Sequence, residues 1–492
     1  MKRLLLLVLT AAGGVLAAMV VRASSLTAPA PLGPDDAGSA LVLDSAGAAA
    51  RLAGAVRFPT VSFRSGGPID TAAFLGLHQH LEISFPLVHA QLTRELITGL
   101  SLIYTWPGAD PTAAPVVLMG HMDVVPVPEP SRKQWTHDPF SGDIADGFVW
   151  GRGTLDDKTT VLSILEAVEG LLREGYRPPR TVYLTFGHDE EVGGRFGARP
   201  IVEALVARGV KPALVLDEGG FMAAGLMPGL PGRAAVVGIA EKGYLSLRLT
   251  ARAEGGHSSM PPPRTAVGAL SRAIARLEAE PFPSSLDGPT RGMVEAMAPF
   301  APFGRKLLMA NLWLTGPIVA KGLAAIPLGA ALMHTTTAPT MLSAGIKDNV
   351  LPPEAEAIVN FRIRPGETMA SVTERVKRVV ADTQITVVPQ DSAVTDPSPV
   401  SDIKSPAYQL IAASIRRMVP GEDPPVIPYL VMGGTDAKYW GPHSDRVFRF
   451  LAVPFGEGDR ERVHGVNERV AIRDYAASVG FFTRLLRGID RL

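Results

Sequence analysis

Apolar residues change their spacing several times along this chain, and each change marks a different kind of element. Residues 4–21 form an uncharged, largely apolar run between Lys2 and Arg3 on one side and Arg22 on the other. A positive segment before a hydrophobic core is the pattern of an export signal. Roughly 18 such residues is the lower limit for spanning a bilayer, so a cleaved signal and a retained anchor both fit residues 1–23. Either way, the charge at the first end favours an N-terminus inside and the bulk of the protein outside, in the periplasm or beyond the cell. Residues 24–47 begin rich in Ala, Pro, Gly and Ser and read as a flexible linker, with a helical pattern setting in at Ala48 and running into Arg57.

Strand-like and helix-like stretches then alternate. Residues 115–119 (PVVLM) are a short apolar run of buried-strand type. Residues 159–173 carry Val161, Leu162, Leu165, Val168 and Leu172 at helical spacing. Residues 180–186 (RTVYLTF) are β-branched and aromatic, residues 200–208 read as a helix, and residues 213–216 (ALVL) as another buried strand. This alternation predicts a parallel sheet covered on both faces, with function collected beyond the carboxyl ends of its strands.

After about Gly238 the period changes to strict alternation. Leu245, Leu247 and Leu249, and later Ala357, Val359, Phe361 and Ile363, alternate with polar residues as in strands with one wet face. Helical patterns at 265–278 and 368–382 accompany them. The expectation is an inserted α+β domain over 241–392, flanked by the two parts of a larger domain at 48–240 and 393–492. Within the insert, residues 281–340 are Pro-punctuated and unusually apolar. Past Lys306 their only charged side chain is Lys321, so this part should be buried, membrane-facing or lining an apolar groove.

Composition narrows the chemistry. With 492 residues, two or three domains are expected. The formal net charge is zero and no basic tract occurs, which removes the counterion-releasing face that nucleic-acid binding needs. There is no cysteine, so a metal would have to be held by imidazole and carboxylate.

Five groups of such side chains stand out: His121 and Asp123 after PVVLMG, Asp156 and Asp157 before the 159–173 helix, Glu190 and Glu191 after RTVYLTF, Asp217 and Glu218 after ALVL, and His464 far downstream. Singly, each has an ordinary reading: Asp157 as a helix N-cap, paired acids as solvated loop, a lone His as structural. Together they crowd negative charge at successive element junctions. Unpaired, that would cost several kcal/mol in desolvation and repulsion. A pair of divalent cations removes the conflict, and oxygen and nitrogen donors without thiolate suit catalytic zinc, with cobalt or manganese as substitutes.

The stretches GHMDVVPV, WTHDPFSGDIADGFVWGRGTLDDK, TFGHDEEVGG, DEGG, GGHSSMP, KDNVLPPEAEAIVNFRIRPGET, GGTDAKYW and VHGVNE resemble, in order and spacing, the successive motifs of the zinc-dependent metallopeptidases that include aminoacylase, carboxypeptidase G and carnosinase. Within that family the chain is most similar to the branch of the Gly-X carboxypeptidase and the N-fatty-acyl-amino-acid synthase/hydrolase. The resemblance implies a zinc-exopeptidase-like three-layer α/β/α catalytic domain with an inserted α+β lid. It implies two zinc ions bridged by Asp156, one also held by His121 and Asp217 and the other by Glu191 and His464. Asp123 would orient His121, a cis peptide would join Asp156 to Asp157, and Glu190 would be the general base. His257 would donate to the oxyanion, in dimeric relatives that of the partner subunit, so a homodimer is open here. Arg362 and Asn349 would hold a substrate carboxylate, while Gly433, Gly434 and Thr435 would let backbone approach the substrate.

Other motifs fail: GHSSM lacks the second glycine of a nucleophile elbow, and no GxGxxG follows a strand. His78, His80, His89, His137, His188, His334 and His443 fit no ligand position. The expected activity is hydrolysis of an amide beside a free carboxylate, in N-acyl amino acids (long fatty acyl groups included) or in short peptides. A membrane-tethered binding protein without turnover is the competing class, and it should have lost a ligand or the base. Here His121, Asp156, Glu190, Glu191, Asp217 and His464 are all present.

Overall fold

Two sheets organise the chain, and the burial of their strands distinguishes them. The computed structural model describes residues 2–30, 32, 41–63, 69–226, 232–390 and 394–492. Residues 31 and 33–40 of the expected linker lie outside this set.

The strands used below are β1 (Thr93–Ile97), β2 (Ser101–Trp106), β3 (Val116–His121), β4 (Val182–Gly187), β5 (Leu214–Asp217), β6 (Met222–Ala224), β7 (Arg233–Glu241), β8 (Gly243–Arg252), β9 (Thr336–Ala344), β10 (Glu354–Ile363), β11 (Ile385–Pro389), β12 (Val426–Val431), β13 (Val447–Arg449) and β14 (Pro454–Phe455). A ten-stranded sheet runs β1-β2-β4-β3-β5-β13-β7-β6-β14, with β12 also paired to β7. Its centre, β4-β3-β5-β13, is parallel as expected. Its flanks are not: β1 and β2 pair antiparallel, as do β6 and β7. A three-residue turn with Thr98 and Gly99 at positive φ joins β1 to β2, and so short a connection can only join antiparallel neighbours.

Alternation along β3 builds three layers. Val116 and Leu118 enter the large core shared with helices α2 (Ser45–Val56), α3 (Thr71–Ser84), α4 (Lys158–Arg173) and, from the far end of the chain, Ile472–Arg487. Val117 and Met119 point to the opposite face, against Ile201, Val202 and Leu205 of α5 (Ala198–Ala207).

The second sheet, β9-β10-β8-β11, is antiparallel. Leu245, Leu247, Leu249, Val359, Phe361 and Ile363 pack beneath α6 (Ala266–Ala279) and a helix at Met369–Val380. On its outer face Arg248 meets Glu356 and Arg252 meets Glu354. A single residue, Lys242, separates β7 from β8, and the returning chain crosses beside it. There Tyr244 and Thr395 exchange reciprocal backbone hydrogen bonds of 2.9 Å.

The apolar insertion folds into α7 (Gly288–Met297), α8 (Phe303–Ala310), α9 (Leu312–Ala324) and α10 (Pro327–Met333). These helices sit on the main sheet: Met293, Val294, Leu312 and Leu332 join Ala234, Val236 and Ala240 of β7 and Ile427 and Leu430 of β12. Lys242 fixes the end of α10, its Nζ donating to the carbonyls of Ala331 and His334 at 2.6 and 2.7 Å. At the other end of the chain, the 24-residue α1 (Lys2–Ser25) buries only Met19 and Ala23 among its described side chains.

Candidate metal centre

The parallel centre of the main sheet delivers acids and imidazoles to one place. β3 ends on His121, β4 leads into a 3-10 turn at Glu190–Val192, and β5 ends at Asp217 with Glu218 next. Asp156 precedes α4, joined to Asp157 by a cis peptide. His121 Nε2 lies 2.9 Å from Asp156 Oδ1, and His464 Nε2 lies 2.9 Å from Asp156 Oδ2 and 3.2 Å from Glu191 Oε2. Ligand atoms of His121, Asp156 and Glu218 all fall within 4.8 Å of one another, and so do those of Asp156, Glu191 and His464. Asp156 belongs to both groups.

Asp217 is not in either group; its Oδ2 accepts from the backbone N–H of Ala437 at 2.7 Å, and Glu218 stands with His121 and Asp156 instead.

The electrostatics suit cations. Burial pushes Glu218 well above the ordinary carboxylate range, with Asp156 and Glu190 adding to the effect. Glu190 is likewise raised, first by burial, against the pull of His121 and with Asp436 and Glu191 reinforcing it. Asp156 is held well below its usual value because His121 and His464 outweigh its burial. His464 is pushed up to about 10 by its bonds to Asp156 and Glu191. Glu191 Oε1 is buried without a hydrogen-bond partner among the described residues. Surplus carboxylate, an orphaned buried oxygen and two shared-ligand clusters are what a site for divalent ions requires.

The profile of peptidase family M20/M25/M40 matches residues 117–488, most of the chain. The chain belongs to this family. It is therefore a metal-dependent hydrolase of amide bonds. Among relatives, a protein described as probable carboxypeptidase S-like 2 from Dictyostelium discoideum is 37% identical over 97% of this chain and 92% of its own length. The mouse N-fatty-acyl-amino acid synthase/hydrolase PM20D1 is 39% identical over 89% of this chain and 87% of its own. The fold matches that of an M20 metallo-carboxypeptidase from Sulfolobus solfataricus, with a TM-score of 0.65 at 18% identity over 89% of this chain and 98% of that one. Human carnosine dipeptidase 1 superposes with a TM-score of 0.61 at 16% identity, covering 91% and 97% of the two chains.

Around the M20 cluster lies a set of supporting groups. Asp123, expected to orient His121, lies with Oδ1 3.4 Å from His121 Nδ1, whose closer partner at 3.0 Å is the Asp123 carbonyl. Its carboxylate also accepts from the backbone N–H of Glu190 and Glu191 at 3.0 and 3.1 Å and from Ser62 Oγ at 2.6 Å. One side chain thus sets the positions of an imidazole and of both adjacent glutamates. Asp157 occupies the N-cap of α4 without capping it; its Oδ2 faces the His121 N–H at 3.4 Å.

Two supports were assigned no role from the sequence, although one of them, Glu468, closes the VHGVNE stretch. Fully buried Glu468 accepts through Oε1 from the N–H of Gly153, Leu155 and Asp156 at 3.0, 2.8 and 3.2 Å, and through Oε2 from Arg152 at 2.5 Å. Arg152 in turn donates to the His464 carbonyl at 3.1 Å. Glu241, at the end of β7, accepts from Thr435 N and Oγ1 at 2.8 and 2.7 Å and from Arg449 at 3.1 Å. Glu241 lies in none of the quoted motifs, and for both glutamates the role arises from where donors converge in space.

The remaining expected residues sit as follows. Gly433 and Gly434 have open space where a side chain would project. His257 lies exposed in a two-residue ladder, Gly256–His257 against Val350–Leu351, with Nδ1 accepting from Ser259 Oγ at 2.8 Å. Asn349 adjoins it, its carbonyl accepting from Ser258 N–H at 3.2 Å. Arg362 on β10 stands opposite Tyr244 on β8, its guanidinium 4.8 Å from the centre of that ring. His188, set aside from the sequence, is buried and bonded to Ser101 Oγ at 2.6 Å.

Proposed function

We propose that this chain hydrolyses N-acyl amino acids, long-chain fatty acyl ones included, at a pair of zinc ions. The observation that carries the reading is the doubled cluster around Asp156 with Glu190 beside it and outside both ligand groups. His121, Asp156 and Glu218 would hold one ion, and Asp156, Glu191 and His464 the other. Zinc bound there supplies Lewis acidity toward a carbonyl oxygen and toward water.

The protein's own groups do the rest. Glu190 accepts a proton from the water that attacks the amide carbon, and returns it to the nitrogen as the carbon–nitrogen bond breaks. Asp123 keeps the Glu190 backbone in place while this happens. The second sheet serves as a lid carrying His257 as a donor to the oxyanion, with Asn349 and Arg362 for the substrate carboxylate and the Gly434–Thr435 backbone along its length. Condensation of amine and fatty acid runs through the same groups when both are abundant. The chain is exported, with α1 as signal or anchor.

Two observations favour the fatty acyl group: the apolar insertion beside β12, whose end leads to Gly433 and Gly434, and likeness to the mouse synthase/hydrolase. Likeness to the carboxypeptidase S-like protein supports short peptides as the second reading. A mass-spectrometric panel of N-oleoyl amino acids, N-acetyl amino acids and Gly-X dipeptides, with and without chelator, separates them. Chelator is expected to abolish turnover, and Glu190→Gln to lower it about 10²–10⁴-fold. Full zinc-dependent activity in Glu190→Gln would defeat the mechanism.

A further inference from the structure

The outer surface of the insertion is unlike the rest of the protein. Phe303, Trp313, Leu314, Ile318, Ile326 and Leu328 are all exposed along α8, α9 and the start of α10. Over residues 303–333 the charged side chains are Arg305, Lys306 and Lys321, with no acid. α8 and α9 meet at 116° and hold 8 and 13 residues, too short and too bent to cross a bilayer as one rod. Pro317 and the Asn311 junction break them further. Exposed apolar and aromatic side chains with basic ones are the composition of a segment lying in a membrane interface.

The neighbour of this surface is α1. Lys306 Nζ donates to the Leu26 carbonyl at 2.5 Å, and Asn311 Nδ2 to the Met19 carbonyl at 3.1 Å. Met19 and Ala23, one turn apart, are the buried contacts. Leu4–Leu9, Val15, Leu16, Val20 and Val21 remain exposed. At 1.5 Å per residue α1 is about 36 Å long, enough for the roughly 30 Å hydrocarbon layer. An apolar rod of bilayer length therefore leaves the protein beside the patch.

We propose that α8–α10 form a second membrane contact, a shelf lying in the headgroup–acyl boundary of a phospholipid bilayer next to α1. Their basic residues match anionic headgroups, and the exposed side chains enter the acyl layer. The inner face of the same helices packs on β12, with Met432 among the side chains it touches, one residue from Gly433. The shelf thus lies between the bilayer and the loop beside the metal cluster. Passage of a membrane-borne acyl chain along it rests on the reading in the previous subsection; the membrane contact does not.

Trp313 supplies a direct probe. The other four tryptophans, Trp106, Trp135, Trp150 and Trp440, are at most 9% exposed, whereas Trp313 is 56% exposed. The full chain is bound to phosphatidylcholine–phosphatidylglycerol vesicles brominated in mid-chain, and tryptophan emission is compared with that on unbrominated vesicles. Quenching with a blue shift is expected, lost in Trp313→Phe and reduced in the double variant Leu314→Glu/Ile318→Glu even though α1 still carries the chain with floating vesicles. No quenching of Trp313 on a chain that floats with the vesicles would overturn the proposal. So would Trp313 protected from both brominated lipid and aqueous iodide in a sedimenting dimer, which would make a second copy the occupant. Turnover separates the two readings. The double variant should lose hydrolysis of vesicle-borne N-oleoyl amino acid and keep that of soluble N-acetyl amino acid. Quenching without turnover of any acyl amino acid would leave the shelf standing and remove the substrate reading.

Discussion

Glu468→Gln puts the support of the metal cluster to a quantitative test. The substitution keeps the shape of the side chain and removes one acceptor oxygen and the negative charge. If the amide oxygen takes the place of Oε1, it still accepts from Gly153, Leu155 and Asp156, but the NH₂ then faces the Arg152 guanidinium, donor against donor, where the present contact is 2.5 Å. If the amide is turned over, the NH₂ faces three backbone N–H groups instead. Neither orientation satisfies the site. Both partners are nearly inaccessible, with side chains 3% and 0% exposed, so Arg152 is left as an uncompensated buried cation. Breaking one side of a buried pair costs about 3–5 kcal/mol. The loss should appear in the first urea-unfolding transition of metal-free protein, followed by the tryptophan fluorescence of Trp135, whose ring lies 5.4 Å from Arg152. Because Glu468 fixes the Asp156 N–H and Arg152 fixes the His464 carbonyl, zinc affinity should also weaken, by about 10–100-fold as for other groups that orient ligands. Burial raises the Glu468 carboxyl while Arg152 and the Leu155 N–H oppose that rise. A cost below about 1 kcal/mol with unchanged zinc affinity would mean that burial wins, that the group is already neutral, and that the argument from charge is wrong.

Three further outcomes follow from the same structure. With two zinc ions held as proposed, Glu218→Gln should release one of them, as read by atomic emission after dialysis, while Asp217→Asn should retain both; the reverse order would make Asp217 the ligand. His78, buried on α3, has its pKa lowered to about 4, first by burial, against an ordinary value of 6.5. The unfolded chain therefore binds its proton more readily, so this contribution is complete above pH 6.5 and declines as pH falls toward 4, by about 3 kcal/mol in all. His78→Leu should flatten the pH dependence of unfolding in that window, and an unchanged slope would refute the assignment. Phe361→Ala, at the centre of the second sheet's core and edge-on to Phe282, should cost about 3–5 kcal/mol in that sheet's unfolding and leave zinc content untouched.

Periodicity made the scaffold legible where one face of an element is buried. The 159–173 pattern is α4 almost to the residue, and Leu245–Leu249 gave β8 with its dry face correctly aimed. The helix Thr71–Ser84 had no comparable signature, since His78 and Gln79 fall among its apolar residues. The antiparallel flank at β1 and β2 was also unread: parallel and antiparallel strands share a period of two, and only the short turn between them decides. At the site, His121, Asp156, Glu191 and His464 were named from motif order and do converge. Of the adjacent acids at the end of β5, Asp217 was named from the motif, while it is Glu218 whose oxygen falls within the group of His121 and Asp156. Glu241, and the partners of Glu468 in VHGVNE, were unread for a different reason, as the backbone and side-chain donors that meet them come from distant segments.

The crossing between the two sheets limits how they can move. The outgoing chain has only Lys242 between one sheet and the next, and the returning chain is pinned to it by the Tyr244–Thr395 pair. Two crossings joined in this way behave as an axle: they allow turning about one line and resist twisting and sliding apart. Arg362 sits over Tyr244, close to that line, whereas His257 is carried on a separate ladder. A small rotation therefore leaves the guanidinium nearly where it was and spends its travel elsewhere.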